Sequence, residues 1–263
     1  MRSDETRRRG AGDARRTGLR TLGIDIGGSG IKAGVLGGDG RMLTKRVRVP
    51  TPHPCPPEVL LKLVAELVAP LSPFQRISIG FPGVIRSGHV LTAPNLGTPQ
   101  WRGFPLEARI SRLFGRPARL MNDAEVQGLG IIRGRGLEVV LTLGTGVGSA
   151  IFDRGRPAPH LELAHHPLHK GNTYDEYLGN EARRAHGRKK WNRRLRKTID
   201  VVRTLLNFDV LYLGGGNAGH IDFDLPDDVR IASNNTGITG GIHLWDDEVW
   251  DAISGAPWRR ASR

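Results

Sequence analysis

The sequence predicts an α/β protein of two domains, on three observations. Its 263 residues exceed the roughly 150 of an average domain and suffice to bury a sizeable core. Strand-like apolar runs come first, with helical patterns interleaved between later ones. Two strand pairs turned by glycine stand far apart, one opening at Thr21 and one at Leu137, and that order is the mark of α/β architecture. Glycine and proline, at 36 and 17 residues, stay below the share that signals disorder, so the glycines serve local turns and loops.

Residues 1–20, rich in Arg, Gly, Ser and Thr without apolar periodicity, are expected to form a disordered basic leader. A small N-terminal domain, 21–121, opens with TLGIDIGG, a buried strand ending in glycines. KAGVLGGDGRMLTKRVRV continues it as strands turned at Gly38, Asp39 and Gly40. Pro57 starts an amphipathic helix whose Leu60, Leu63, Val64, Leu67, Val68 and Leu71 follow the i, i+3, i+4 rule and pack a core. RISIGF is a strand, PGVI and TAPNLG are loops, and PLEARISRLF is a short helix with Pro105 in its first turn and Gly115 beyond its end. PARLM is a strand stopping at Asn122-Asp123.

A larger domain, 122–240, follows with a helix over Glu125 to Ile132, the strand LEVVLTL, a glycine turn and the strand GSAIF. Two helices come next, TYDEYLGNEARRAH and KKWNRRLRKTIDVVRTLLNF, then the strand DVLYL, GGGN and the strand VRIAS. A C-terminal helix near Gly241 to Ile253, in the stretch 241–263, is expected to complete the first domain.

Composition narrows the function. A single cysteine, Cys55, excludes an internal disulfide framework and a zinc site of several thiolates, and fits a reducing cytoplasm. No run of 18 apolar residues occurs, and the leader lacks the apolar centre of a signal peptide; a soluble cytoplasmic protein without a membrane partner is expected. The net charge of +13 raises nucleic acid as a partner, but it is concentrated. Residues 1–20 hold seven Arg against Asp4, Glu5 and Asp13, and residues 183–197 hold nine Lys and Arg with no acid. These segments account for the whole excess, so the rest is an ordinary small-molecule protein with one polyanion-facing surface.

Three glycine clusters each follow a predicted strand: DIGGSGIK at 25–32, LGTGVG at 143–148 and LGGGNA at 213–218. Glycine after a strand lets backbone N–H groups approach an anion with no Cβ in the way, which is how loops cradle phosphate. Gly28, Gly30 and Ala33 fit the dinucleotide pattern GxGxxA, yet KAGVLGG continues as strand rather than helix and the ribose-binding acid is absent. A Walker A loop fails too, because Lys32 lacks the GxxxxG spacing and is followed by Ala33. Asp25, directly before the first cluster, sits where a carboxylate holds Mg²⁺ directly or through water; capping a turn is its other use. Asn122-Asp123 lies at a strand-to-helix junction, where Asp is also a good N-cap. Beside phosphate loops, Asn offers an acceptor and two donors suited to adjacent hydroxyls, and Asp can take a hydroxyl proton. Glu162 and His165 could hold sugar hydroxyls or half a metal site; His166 and His169 add nitrogen, but metal is disfavoured without cysteine or a second acidic cluster nearby. Trp191 shares an apolar helix face with Leu195, Ile199 and Val202, a core anchor.

Taken in order, DIGGSGIKAG, IGFPGVI, APNLGTPQW, MNDAEVQGLG, LTLGTGVGSAIF, ELAHHPLHKGNTYDEYLG, HGRKKWNRR, LYLGGGNA and TGITGGIHLWD resemble the ROK (repressor, open reading frame, kinase) sugar kinases, and within them the polyphosphate glucokinase branch, over roughly Thr21 to Trp250. The resemblance implies an actin/hexokinase-like (ribonuclease H-like) fold of two α/β domains around a cleft, usually as a homodimer. It implies phosphorylation of glucose to glucose 6-phosphate with Mg²⁺, from polyphosphate and also ATP.

Carried onto matching positions, the resemblance makes Asp123 the general base for the 6-hydroxyl. Asn95, Asn122, Glu162, His165 and Asp175 become the sugar ligands, with Glu176 adjacent to the last. Asp25, Gly27, Gly28, Ser29 and Lys32 match the first phosphate loop, Gly144, Thr145 and Gly146 the second, and Gly214, Gly215, Gly216 and Asn217 the third. The chain lacks the cysteine-rich zinc motif of most ROK kinases, so no zinc is expected, and its leader is too short for a helix-turn-helix domain. The basic stretch supplies a physical reason for a polyphosphate donor, since a long linear polyanion needs cations beyond the catalytic pocket; Lys189, Lys190, Arg193 and Arg194 are the candidates. Alternatives are a strictly ATP-dependent glucokinase or hexokinase, and a sugar-sensing regulator or nucleic-acid-binding protein. The latter is disfavoured because a binder needs neither Asp123 nor three phosphate loops.

Overall fold

A computed structural model describes residues 18–233 and 236–254. The chain forms two five-stranded sheets of one and the same strand order. In the first, β1 (Thr21–Gly27) and β2 (Gly30–Leu36) form a tight hairpin, β3 (Val47–Val49) pairs antiparallel outside β2, and β4 (Arg76–Phe81) runs parallel to β1. All six residues of β4 are buried, as expected of a central strand covered on both faces. Helix α1 (Pro57–Val68) covers the sheet with Leu60, Leu61, Val64 and Val68, started by proline rather than by a capping side chain. After the small hairpin of β5 (Ile85–Arg86) and β6 (His89–Val90) come α2 (Thr98–Trp101) and α3 (Leu106–Phe114). Gly115 ends α3 in the left-handed conformation. β7 (Ala118–Asn122) then closes the sheet, parallel to β4.

Helix α4 (Asp123–Leu129) starts where β7 ends. Its Val126 and Leu129 share a core with Met121 of the first sheet and Val140, Ala150 and Phe152 of the second. The second sheet is built from β8 (Leu137–Leu143), β9 (Val147–Asp153) and β10 (Arg156–Pro157), antiparallel in sequence. A hairpin of β11 (Pro167–His169) and β12 (Asn172–Thr173), α5 (Tyr174–Leu178) and the long α6 (Asn180–Leu206) follow. β13 (Val210–Gly214) and β14 (Val229–Ile231) complete the sheet in parallel with β8. Trp191, fully buried, donates its indole N–H to Leu178 O at 2.8 Å, with Leu195, Ile199 and Val202 in the same core; this is the anchor its spacing predicts.

The last described segment returns to the first sheet through α7 (Thr236–Thr239), a 3₁₀ stretch (Gly240–Trp245) and α8 (Asp247–Ile253). Ser78 Oγ donates to Gly241 O (2.6 Å) and accepts from Trp245 Nε1 (2.9 Å). The Arg119 guanidinium lies 4.5 and 4.6 Å from the ring centres of Trp245 and Trp250.

Several boundaries differ from expectation. The strand series after Lys32 stops at Leu36, leaving only Val47–Val49 beyond a loop with one bridge, Leu36 to Met42. The helix expected over Glu125 to Ile132 begins earlier, because Asn122 is its cap. The expected helix TYDEYLGNEARRAH breaks at Gly179, and α6 is kinked at Gly187 (φ 73, ψ 164), a conformation suited to glycine. The C-terminal segment is 3₁₀ before it is helical; Gly240 and Gly241 lie so close to α4 and Ser78 that Cβ atoms would collide with them. The leader up to residue 17 and the end of the 241–263 stretch lie outside the described residues. Among the described residues no helix is long and apolar enough to cross a membrane.

Candidate active site

A cleft of about 260 Å³ lies where the C-terminal ends of β1, β7 and β8 meet, the usual place for a ligand in open α/β sheets. Asp25, Gly27, Gly28, Ser29, Lys32, Asn95, Asn122, Asp123, Gly144, Thr145, Gly146, Glu162, His165, Asp175 and Gly215 all line it. The fold thus brings together the candidate base, all the candidate sugar ligands and the first two glycine loops, but only one residue of the third loop.

The first glycine loop is the β1–β2 turn. Register pairs Asp25 with Lys32 across the hairpin, which sets Lys32 Nζ 2.8 Å from Asp25 Oδ2. Thr51 Oγ1 donates to Gly27 O at 2.6 Å and steadies the turn. Asn95 packs on Gly28, where a Cβ would come within 3.2 Å of it. The second loop is the β8–β9 turn, and it touches the first directly: Ser29 Oγ and Thr145 Oγ1 are 2.8 Å apart. Gly146 leaves room for Asp175, whose carboxylate would be 2.6 Å from any Cβ there. From the third cluster only Gly215, at φ +82, faces the cleft. Asn217 is turned away and buried; its Nδ2 donates to Gly144 O (3.1 Å) and its Oδ1 accepts from Arg183 Nε (3.0 Å), so it braces the second loop.

At the head of α4, Asn122 is the N-cap: its Oδ1 accepts from Ala124 N and Glu125 N, and its Nδ2 donates to Gly83 O at 3.1 Å. One amide hydrogen therefore remains for a ligand. Asp123 follows with its carboxyl pushed up to about 7 by burial, then by the charge of Asp25, with Glu162 adding to the rise and the Ala124 N–H opposing it. Burial raises Glu162 too, but the hydrogen bond and charge of His160 outweigh it and its pKa is lowered. Asp175 is raised by burial, against the Val147 N–H that donates to its Oδ1 at 2.6 Å. Its neighbour Glu176 points elsewhere: with Thr173 it forms a capping box on α5. That places Asp175, and not Glu176, at the cleft. A carboxyl raised to about 7 beside one held below its ordinary value, Asp123 beside Glu162, is the separation of acidities by which one site holds both an acid and a base.

Arg48, Gln127 and Thr142 also line the cleft without having been singled out. Arg48 stands beside Lys32 in the β2–β3 register, a neighbour that only strand pairing reveals. Among the described residues no group of three or more His, Cys, Asp or Glu could hold a metal ion by itself. Mg²⁺ needs less, since it keeps several waters and takes one or two carboxylates plus substrate phosphates; Asp25, with one oxygen beyond its bond to Lys32, fits that role.

A second pocket, of about 450 Å³, is lined by His169, Lys170, Asn172, Tyr177, Lys190, Arg193, Arg194 and Lys197. Arg194 stacks 4.5 Å over the Tyr177 ring and donates to Tyr177 O at 3.1 Å. Lys189 is exposed and does not line this pocket.

The model of the ROK family matches residues 21–159. Polyphosphate glucokinase of Mycobacterium tuberculosis (strain CDC 1551 / Oshkosh) is 30% identical over 215 residues, 78% of this chain and 80% of that protein. Inorganic polyphosphate/ATP-glucomannokinase from Arthrobacter sp. strain KM superposes with a TM-score of 0.78 at 31% identity, over 85% of this chain and 97% of that one. A ROK family glucokinase from Streptomyces griseus, solved with glucose and AMPPNP, shares the fold at 20% identity, with a TM-score of 0.72 over 86% and 98% of the two chains. The two sheets and their cleft are therefore those of the actin/hexokinase-like sugar kinases, and the chain belongs to the ROK family.

Proposed function

We propose that the chain phosphorylates glucose at its 6-hydroxyl, with inorganic polyphosphate, and also ATP, as donor. The observation that carries this reading is Asp123: a recessed carboxyl with a pKa near 7, set in one cleft with two touching glycine loops and the side chains of Asn95, Asn122, Glu162, His165 and Asp175. A base poised near the working pH is what proton removal from a hydroxyl requires.

In this reading Asn95, Asn122, Glu162, His165 and Asp175 hold the sugar hydroxyls. The amides of Gly27, Gly28, Ser29, Gly144, Thr145 and Gly146, with Lys32, receive the donor's terminal phosphates; of the third cluster, Gly215 lines the cleft beside them while Asn217 holds the second loop from behind, and Gly214 and Gly216 do not line it. Bound Mg²⁺ on Asp25 would offset phosphate charge. As the sugar oxygen bonds to the terminal phosphorus, its proton passes to Asp123 and the bond to the rest of the donor breaks, so the shortened donor leaves with that electron pair. Phosphoryl transfer depends mainly on such positioning and charge neutralisation. The units that close on the substrates are 21–121, with the C-terminal segment packed back onto it, and 122–240; closure excludes water. Two such chains pair as a homodimer, which light scattering of the purified protein checks.

The donor assignment is supported by the second pocket. Its Lys190, Arg193 and Arg194, joined by Lys170 and Lys197, gather cationic charge around Tyr177, two residues from Asp175 in α5, and exposed Lys189 adds to it on α6. ATP has no use for that many cations; a long polyanion does.

The deciding experiment is glucose 6-phosphate formation by the purified protein with Mg²⁺ and either long-chain polyphosphate or ATP as sole donor. Product from polyphosphate is expected. Product from ATP alone makes the chain an ordinary ATP-dependent glucokinase, and no product from either overturns the reading.

A further inference from the structure

One largely buried side chain joins Glu162 to the helix that carries Asp123, and the reaction proposed above makes no use of it. His160 lies between β10 and β11 with its side chain 13% exposed. Its Nδ1 is 2.9 Å from Glu125 Oε1 and its Nε2 is 3.4 Å from Glu162 Oε2. Both facing atoms are carboxylate oxygens, which only accept. A neutral imidazole has one N–H and could satisfy one of them; an imidazolium satisfies both.

The surroundings favour the second proton. Burial opposes the cation, but hydrogen bonds and charge from Glu125 and Glu162 outweigh it, and the His160 pKa rises to about 9. Glu125 is itself buried, in the first turn of α4, and its own N–H is tied to Asn122 Oδ1 at 3.3 Å. One end of the bridge is therefore fixed to the element that carries Asp123, and the other end is the Glu162 carboxylate that lines the cleft.

We propose that His160 is a positioning residue, held as an imidazolium between Glu125 and Glu162, that locks the Glu162 carboxylate in register with Asp123 across the cleft. The bridge itself follows from geometry; its consequence for sugar binding rests on the sugar-kinase reading. A Glu side chain ordered before the ligand arrives loses no freedom when the ligand binds, so the bridge strengthens acceptor binding and leaves the donor loops untouched.

Two measurements test this. The first is long-range ¹H–¹⁵N NMR of the ¹⁵N-labelled full chain at pH 8, with the His160 ring identified by its loss in His160→Gln. Both ring nitrogens should be protonated, and Glu125→Gln should move the ring toward a single N–H. A ring with one N–H at pH 8 in the wild type overturns the proposal. The second is steady-state kinetics of His160→Ala, with the circular dichroism spectrum as a check on folding. The KM for glucose should rise about tenfold or more, the KM for the donor should stay within about twofold, and added imidazole should recover part of the loss. An unchanged glucose KM overturns the proposal, as does a loss that imidazole does not touch. Should His160→Ala fail to fold, Glu125→Gln is read in its place, with the same expected rise in glucose KM. A wild-type protein that phosphorylates no hexose refutes the sugar-kinase reading, and the NMR result then decides the bridge alone.

Discussion

At Asp123, burial and the charges of Asp25 and Glu162 all resist ionisation of the same carboxyl, and this has consequences for chemistry and for stability. Replacing Asp123 by Asn should lower kcat by about 10² to 10⁴ while calorimetric glucose affinity changes little. The native pKa, near 7, lies above the ordinary carboxylate value, so the folded state holds this proton more tightly than the unfolded chain. Its contribution to stability is then full below about pH 4 and is lost as pH rises toward 7. Asp123→Asn should therefore melt above the wild type at pH 8, with the gap closing near pH 4; a lower melting temperature at pH 8 would contradict the burial account. Because the base must be ionised to act, kcat/KM should rise with pH through a midpoint near 7. Glu162→Gln removes one of the two repelling charges and should move that midpoint to lower pH. Asp123, Glu162 and His165 were legible in the sequence because each stands in a short run with its chemical neighbours, while Asp175 came only from the family resemblance. Arg48 and His160 were not, since their partners are set by strand register and by a contact 35 residues away in sequence. The choice between Asp175 and Glu176 turned on a capping box, which needs the helix start to be known to the residue.

Helix α6 is where the sequence pattern and the structure part most instructively. The nine Lys and Arg of 183–197 form one run in sequence, but Gly187 divides them. Arg183 goes to Asn217 and Arg188 to His220 O and Asp222, so both are spent on structure. Lys190, Arg193 and Lys197 remain on the pocket wall, and Arg194 is half committed to Tyr177. The triple variant Lys190→Ala, Arg193→Ala, Lys197→Ala should raise the KM for long-chain polyphosphate and leave that for ATP unchanged. It should also flatten the salt dependence, by about 0.7 in log–log slope per lost contact on the analogy of single-stranded nucleic acid. An equal effect on both donors would place these residues outside the donor path. Strands β1, β8 and β13 were legible to within a residue or two because each is a bounded apolar run. The 3₁₀ stretch before α8 was not, because what selects it is close packing of Gly240 and Gly241 against α4 and Ser78, not local propensity.

For the whole molecule, the two sheets are joined by the α4 core and by a C-terminal segment clamped to the first sheet through Ser78 and Arg119. Glucose bound in the cleft stabilises the folded state by mass action. At a hundredfold excess over its Kd the gain is about 2.7 kcal/mol, which for a chain of this size raises Tm by about 5–10 °C. Scanning calorimetry checks this, and the increase should shrink in Glu162→Gln. The sheets also share one strand order, so the β1–β2 turn of one corresponds to the β8–β9 turn of the other. Ser29 and Thr145 stand in those counterpart turns, and the 2.8 Å bond between them links a position to its own equivalent, as an isologous contact does in a symmetric dimer. A single chain thus carries a dimer-like seam between its two sheets at the edge of the cleft, and alanine at either hydroxyl breaks the same bond, so the two losses overlap instead of adding.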